Sequence, residues 1–260
     1  MLFEGIVVAK VPYKERDLIV KLLLRNGLVG SFYVYGGQGG GKHHKPTLFE
    51  PGCMMKIMIK EQKTKSSEGN ELMVAAEYQR LWDPKFIRHD IQAFYLMCLY
   101  FEVLMKLAQP YHPGASDFEH AETEGIFSVI SNALFYLDDS LGKKAFIAHQ
   151  QLHLFMVKLL FYMGIMPDTD HCGFCSTELV NVQSLSFVAA NGNFACHACV
   201  PADDEKGFLM RIKKGYQTKF QQYTELTGTS FPESDKLIQY FCQQFGLKPL
   251  ELRSYSLLFK

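Results

Sequence analysis

Two Cys-x-x-Cys pairs constrain this 260-residue chain more than any other feature. Cys172/Cys175 and Cys196/Cys199 have 20 residues between them, inside HCGFCSTELVNVQSLSFVAANGNFACHACV, residues 171–200. Two sulfurs three residues apart grip one side of a tetrahedral ion from a tight turn, and two such pairs make a four-thiolate zinc site. Gly173 gives the first turn room to bend. The intervening LSFVAANGNFAC holds two short apolar runs around Asn191-Gly192. That predicts a β-hairpin with a type I′ turn, returning the second pair to the first. The expected cofactor is one Zn2+ on Cys172, Cys175, Cys196 and Cys199. His171 and His197 flank the pairs, but the cysteines close the shell without them.

A catalytic zinc keeps an open position, usually beside three protein ligands, so four cysteines point to a structural ion. A zinc deaminase would place proline before its Cys-x-x-Cys, and neither pair here follows one. Cys53, Cys98 and Cys242 lie in apolar runs and read as core residues. No Gly-x-Ser-x-Gly elbow and no dinucleotide fingerprint is present. Asp203-Asp204-Glu205 reads as the start of a helix and not as a magnesium site. No enzymatic activity is expected.

Before the zinc segment the chain has two textures. Up to about Arg80, five short runs rich in β-branched and aromatic residues (FEGIVVAKV, DLIVKLLL, VGSFYVYG, CMMKIMIKE and NELMVAAEYQ) are separated by Gly, Pro and Asn turn signals. Met55, Ile57 and Ile59 share one face of the fourth run, Met54, Lys56 and Met58 the other. Five strands in about 80 residues predict a small closed barrel, of OB or SH3-like type. The loop GGQGGGKHHKPT, 36–47, has no large apolar side chain. It is not a P-loop, because Gly41-Lys42 is followed by His43 and the segment leads towards a strand. After Trp82-Asp83-Pro84 the period becomes helical, with helices expected over 90–108, 123–140, 143–165, 203–226 and 234–246, and a short tail over 248–258. The expected division is a barrel over 1–81 and a helical domain over 82–260, with the zinc unit of 171–200 inserted in the latter.

Net charge is zero, which argues against a surface given over wholly to phosphate. The balance is uneven, however: residues 1–81 carry 12 Lys/Arg against 8 Asp/Glu, and 82–260 carry 15 against 19. Small barrels bind nucleic acid through basic grooves and exposed aromatics. The candidates are Lys10, Lys14, Arg16, Lys21, Arg25, Lys42, His43, His44, Lys45 and Lys56, interleaved with Tyr13, Phe32, Tyr33 and Tyr35. No signal sequence is evident and no stretch offers the ~20 apolar residues of a membrane span. Seven cysteines, four in a metal pattern, fit a reducing compartment, so a cytoplasmic location is expected.

The order of these features resembles the RecO family of bacterial recombination mediators along essentially the whole chain. The likeness rests on Gly5–Val8 with Arg16-Asp17, on LLFYMGIMPDTDHCGFC leading into the first cysteine pair, and on KPLELRSYSLL at 248–258. The resemblance implies a multidomain α+β protein: an N-terminal five-stranded OB-fold barrel, then an all-α domain with an inserted four-cysteine zinc finger. It also implies binding of single- and double-stranded DNA, strand annealing, and work with RecR to load RecA onto strands coated by SSB. The acidic, apolar C-terminal tail of SSB would need an apolar groove with a basic rim. Arg211, Lys213, Lys214 and Lys219, beside Phe208, Leu209 and Ile212, are the candidates. The chain departs from the family in its sparse third loop, where Lys42 and Lys45 stand in place of several Arg/Lys. A zinc-stabilised interaction module without DNA contact is the competing reading.

Overall fold

A computed structural model of the protein describes residues 1–39, 45–65, 71–112, 124–201 and 204–259. Two compact units emerge: residues 1–88 with 103–138, and residues 89–102 with 139–260.

In the first unit, β1 (Leu2–Tyr13), β2 (Asp17–Leu24), β3 (Val29–Val34), β4 (Met54–Lys65) and β5 (Glu71–Trp82) close into a barrel of order β1-β2-β3-β5-β4. All pairings are antiparallel except β3 with β5. That order, with its single parallel seam, is the OB topology, and it resolves the choice left open by strand count. Alternation along the strands sends Val7, Val20, Leu22, Phe32, Met55 and Ile57 into a common core. Met55 and Ile57 are buried there, whereas Met58 is exposed.

After the glycine loop the chain does not run straight into a strand. It first makes a one-turn helix, α1 (Lys45–Leu48), with Pro46 in the first turn, where its missing N–H leaves no intrahelical bond unmade. This turn delivers Phe49, fully buried, into the barrel core. Beyond the barrel, Asp138 accepts hydrogen bonds from the backbone N–H groups of Lys85, Phe86 and Ile87 at 3.0, 2.7 and 3.1 Å. One carboxylate thus holds the backbone that leads into the 3-10 helix Ile87–His89 and the first N–H of that helix.

Helices α2 (Ile91–Leu107) and α3 (Glu124–Gly142) follow. Ile126, Ile130, Leu134 and Leu137 of α3 are buried, as their spacing requires. In α2, Ile91 and Phe94 are exposed although the helix is apolar nearly all round. In the second unit, α4 (Ala148–Tyr162) buries Gln150 through Val157 without a break. It starts five residues later than its apolar pattern, because Lys143 and Lys144 form a turn, with Lys144 at φ 55, and 145–147 connect it to the helix. The expected helix over 203–226 breaks at Thr218 into α5 (Lys206–Gln217) and a 3-10 segment, Phe220–Glu225. Thr218 bonds back to the Lys214 carbonyl through both backbone N–H and hydroxyl, which ends α5. α6 (Phe231–Gln244) and the short α7 (Tyr255–Leu258) complete the unit. Among the described residues no helix is long and apolar enough to cross a membrane.

Candidate metal centre and nucleic-acid interface

The cysteine segment folds as a hairpin, β6 (Leu185–Val188) with β7 (Asn193–Cys196). Its turn differs from the expected type I′. Val188 pairs with Asn193, so four residues form the loop, and Gly192 alone among them has positive φ (67°). A type I′ turn would require that conformation at two consecutive residues. The N–H groups of Asn191 and Gly192 both reach the Val188 carbonyl instead, at 3.2 and 2.9 Å.

Each cysteine pair sits in a tight knuckle. Ser176 N donates to the Cys172 carbonyl at 2.9 Å, and Cys172 N to the Thr177 carbonyl at 2.8 Å. Cys199 N and Val200 N both donate to the Cys196 carbonyl, at 2.9 and 3.0 Å. Gly173 serves closeness and not bending. Its φ is ordinary, but a Cβ there would fall 2.4 Å from the side chain of Asn193, and the left-handed position of the knuckle is Ser176 (φ 58).

The four sulfurs of Cys172, Cys175, Cys196 and Cys199 lie within 4.8 Å of one another, and no histidine belongs to the group. A tetrahedral ion with bonds of ~2.3 Å sets its sulfurs about 3.8 Å apart. Cys175 and Cys196 are separated by 3.6 Å, so the residues fit a metal ion. Cys172 and Cys196 are buried, while Cys175 is exposed. Burial raises the Cys172 thiol pKa, but N–H groups of Cys196, Phe174 and Cys175 outweigh it and hold the group below the ordinary thiol value. Hydrogen bonds from Thr177 pull Cys175 down to about 6, and proximity to Cys175 and Cys196 pushes Cys199 up to about 12. Four thiolates cannot share so small a space unless a cation neutralises them. His171 turns away to Asp168, 3.6 Å distant.

The hairpin is tied to the helices by aromatic rings. Phe187 and Phe194 contact Phe208 of α5 at centroid distances of 5.4 and 5.9 Å, and Phe187 meets Tyr240 of α6 at 6.1 Å. Of the acidic cluster, Asp204 accepts from Lys206 N at 3.1 Å, at the start of α5. Glu205 reaches instead to Phe187 N of the hairpin at 2.5 Å, and pairs with Lys236. Asp203 lies outside the described residues.

The basic candidates of the barrel separate into three groups. Lys14 and Arg16 lie exposed in the β1–β2 turn. Beside them a ladder of rings runs Tyr13–Tyr33–Tyr35, with centroids 5.6 and 4.6 Å apart, and the Lys14 ammonium lies 5.5 Å from the Tyr13 ring. Lys10 and Arg25 are instead held by Glu50 and Glu4, with Arg25 Nε 2.7 Å from its partner. Lys21 lies apart, lining a small cavity of about 130 Å³ with Ser31, Tyr111 and His112. Lys56 stands opposite Glu4 across the β1–β4 pair. Lys42, His43 and His44 lie outside the described residues, and Lys45 opens α1.

On α5, Phe208, Leu209 and Ile212 are buried, so they line no groove. Arg211 is gripped by Glu233, Lys213 by Asp170 at 2.7 Å, and Lys214 by the Glu225 carbonyl; Lys219 precedes the 3-10 segment. A groove of about 350 Å³ does lie beside them, lined by Phe161, Met166, Pro167 and Tyr216 together with Thr169, Gln217 and the Lys213–Asp170 pair. Sequence spacing missed it, since its side chains come from three separate segments. The remaining cysteines form no nucleophilic site. Cys53 is not in wholly apolar surroundings, as its thiol lies 3.1 Å from Asp83 and 3.4 Å from Arg88, but burial pushes it up to about 11.

An OB barrel joined to a helical unit that carries a four-cysteine metal centre defines a class of two-part protein with no evident catalytic constellation among the described residues. Residues 88–211 match the family described as Recombination protein O C terminal. A protein of Thermodesulfovibrio yellowstonii named DNA repair protein RecO is 22% identical over 250 residues, covering 91% of this chain and 89% of that protein. The chain is thus similar to RecO proteins along most of its length.

Proposed function

We propose that this protein is a non-enzymatic recombination mediator of DNA repair, with the barrel of 1–81 as its DNA-binding domain and 82–260 as its helical domain. The observation that carries the reading is the juxtaposition of Lys14 and Arg16 with Tyr13, Tyr33 and Tyr35 on an OB barrel in a chain similar to RecO proteins. Lysine and arginine neutralise phosphates and release counterions, so binding falls with salt and shows little sequence preference. A surface that holds backbone and leaves base edges free lets two complementary strands pair without nucleotide hydrolysis. Both single and double strands are substrates in this reading.

The cysteine centre takes one Zn2+ and staples the helical unit, because its closed shell leaves no position for a substrate. RecR is the partner in loading RecA onto SSB-coated strands, and the SSB tail takes the groove beside Lys213, where its acidic residues would compete with Asp170 for that lysine. The work is cytoplasmic, at the nucleoid. Annealing of complementary strands coated with SSB, without ATP, tests the whole reading; failure to accelerate pairing would defeat it. The competing reading, an interaction module without DNA contact, draws support from the pairing of Lys10, Arg25, Arg211 and Lys213 with acids. Absence of salt-sensitive binding to an oligonucleotide would favour it.

A further inference from the structure

Asp17 joins two loops of the barrel. Its Oδ2 accepts from the Tyr33 hydroxyl, and its Oδ1 from Gly36 N at 2.7 Å. Gln38 returns the connection: its backbone N–H donates to the Arg16 carbonyl at 2.8 Å, and its side-chain amide to the Asp17 carbonyl at 2.7 Å. The turn bearing Lys14 and Arg16 is thereby fixed to the end of β3. Lys14 itself is held at φ 52, a conformation a β-branched or bulky residue would resist. The middle rung of the tyrosine ladder, Tyr33, is 3% exposed, and the end rung, Tyr35, is 56% exposed.

A carboxylate next to two cations that meet phosphate weakens their attraction for it. Its place here is explained by geometry. We propose that Asp17 is a positioning residue that locks the β1–β2 turn onto β3 and presents Tyr35 as a stacking surface for an unpaired base, with Lys14 and Arg16 taking the flanking phosphates. This rests on the barrel reading above and adds a discrimination to it. Every unpaired base has a free ring face to lay on Tyr35, whereas bases in a duplex are already stacked on their neighbours. The latch is not a pH switch. Hydrogen bonds from Tyr33 and Gly36 hold Asp17 below the usual carboxylate range, and burial with the Asp17 bond raises Tyr33 well above the usual phenol.

The test titrates full-length protein against a labelled oligothymidylate and against a duplex of equal length, by fluorescence anisotropy. Tyr35→Ala should weaken the single strand by about tenfold and the duplex by less than about twofold, while Tyr35→Phe keeps both. Asp17→Ala should reproduce that selective loss, and Asp17→Asn, which keeps an acceptor for Gly36 N, should restore most of it. If Asp17→Ala tightens both substrates, the carboxylate acts only as a charge and the proposal fails. An unchanged ratio of single-strand to duplex affinity in Tyr35→Ala overturns it equally. The Lys14→Ala/Arg16→Ala double variant separates the two levels. Weaker binding of both substrates there, with an unchanged ratio in the Tyr35 and Asp17 variants, removes the proposal alone; intact binding removes the barrel reading and the proposal with it. If Asp17→Ala unfolds, Tyr35→Ala and Asp17→Asn decide.

Discussion

The ring of Tyr240 occupies the space where a side chain at Gly192 would stand: a Cβ there would fall 2.0 Å from its Cε2. The same ring meets Phe187, and its hydroxyl donates to the Ile165 carbonyl at 2.8 Å. One α6 residue thus grips the hairpin loop, β6 and the segment after α4. Gly192→Ala adds a methyl at positive φ against that ring, at an expected cost of about 2–4 kcal/mol. Thermal unfolding followed by circular dichroism should show a clear drop in Tm; a Tm within about a degree of the parent would refute the contact.

Loss of the metal should spread beyond the knuckles, since Phe187 and Phe194 share a core with Phe208. Zinc supplies on the order of 10 kcal/mol to sites of this kind. Cys172→Ser should lose bound zinc, measured by elemental analysis, and expose 171–200 to protease, while strand annealing weakens only as far as folding does. Stoichiometric zinc in that variant would contradict the assignment.

The salt dependence of binding reports on the barrel turn. Replacing Lys14 and Arg16 together by alanine removes the two phosphate contacts proposed for this turn. On single strands the slope of log affinity against log salt should flatten by about 1.4. An unchanged slope would move the interface elsewhere.

Acid should destabilise the helical unit through His153. This residue is fully buried on α4, and burial pushes its imidazole down to about 4, with the charges of Arg211 and His149 acting in the same direction. The unfolded chain takes up the proton near pH 6.5 and the folded one does not. Above pH 6.5 both states are neutral and His153 has no effect; between about 6.5 and 4 stability falls, by about 3 kcal/mol in total. Asp17 and Asp168 are lowered groups and lose their contribution only as pH drops through 3.8 and below. His153→Leu should flatten the decline between pH 6.5 and 4 in urea denaturation. The same decline in parent and variant would show the proton going elsewhere.

Asp138 offers a stability test in the first unit. Asp138→Ala strands three backbone donors near buried Ile87 and should cost about 3 kcal/mol. The single tryptophan, Trp82, lies 6.2 Å from Phe135 and supplies the fluorescence probe. A shift in urea midpoint too small to resolve would mean water serves these donors as well.

Strand periods and cysteine spacing are local, and they were legible: five strands, the main helices and all four sulfurs stand where residue patterns place them. What escaped was set by partners distant in sequence. Glu4 and Glu50 meet Arg25 and Lys10 only because the barrel closes, so a count of cations does not tell which of them are paired. The hairpin turn followed Tyr240, about 50 residues later, in preference to its own Asn-Gly pair. Asp17 read as part of a family-like motif, but its bond to Tyr33 requires β2 and β3 to be in register, Leu18 opposite Val34.

The β3–β5 seam is the narrowest in the barrel, with two register pairs among the described residues, Phe32 with Met73 and Tyr33 with Val74. A cylinder yields first along its shortest join, so thermal breathing should part these strands before any other pair. Tyr33 stands on that join and also carries the Asp17 bond. Amide hydrogen exchange at Val74 is therefore a gauge of the turn's hold, and a DNA strand gripping the turn would tighten the cylinder from outside.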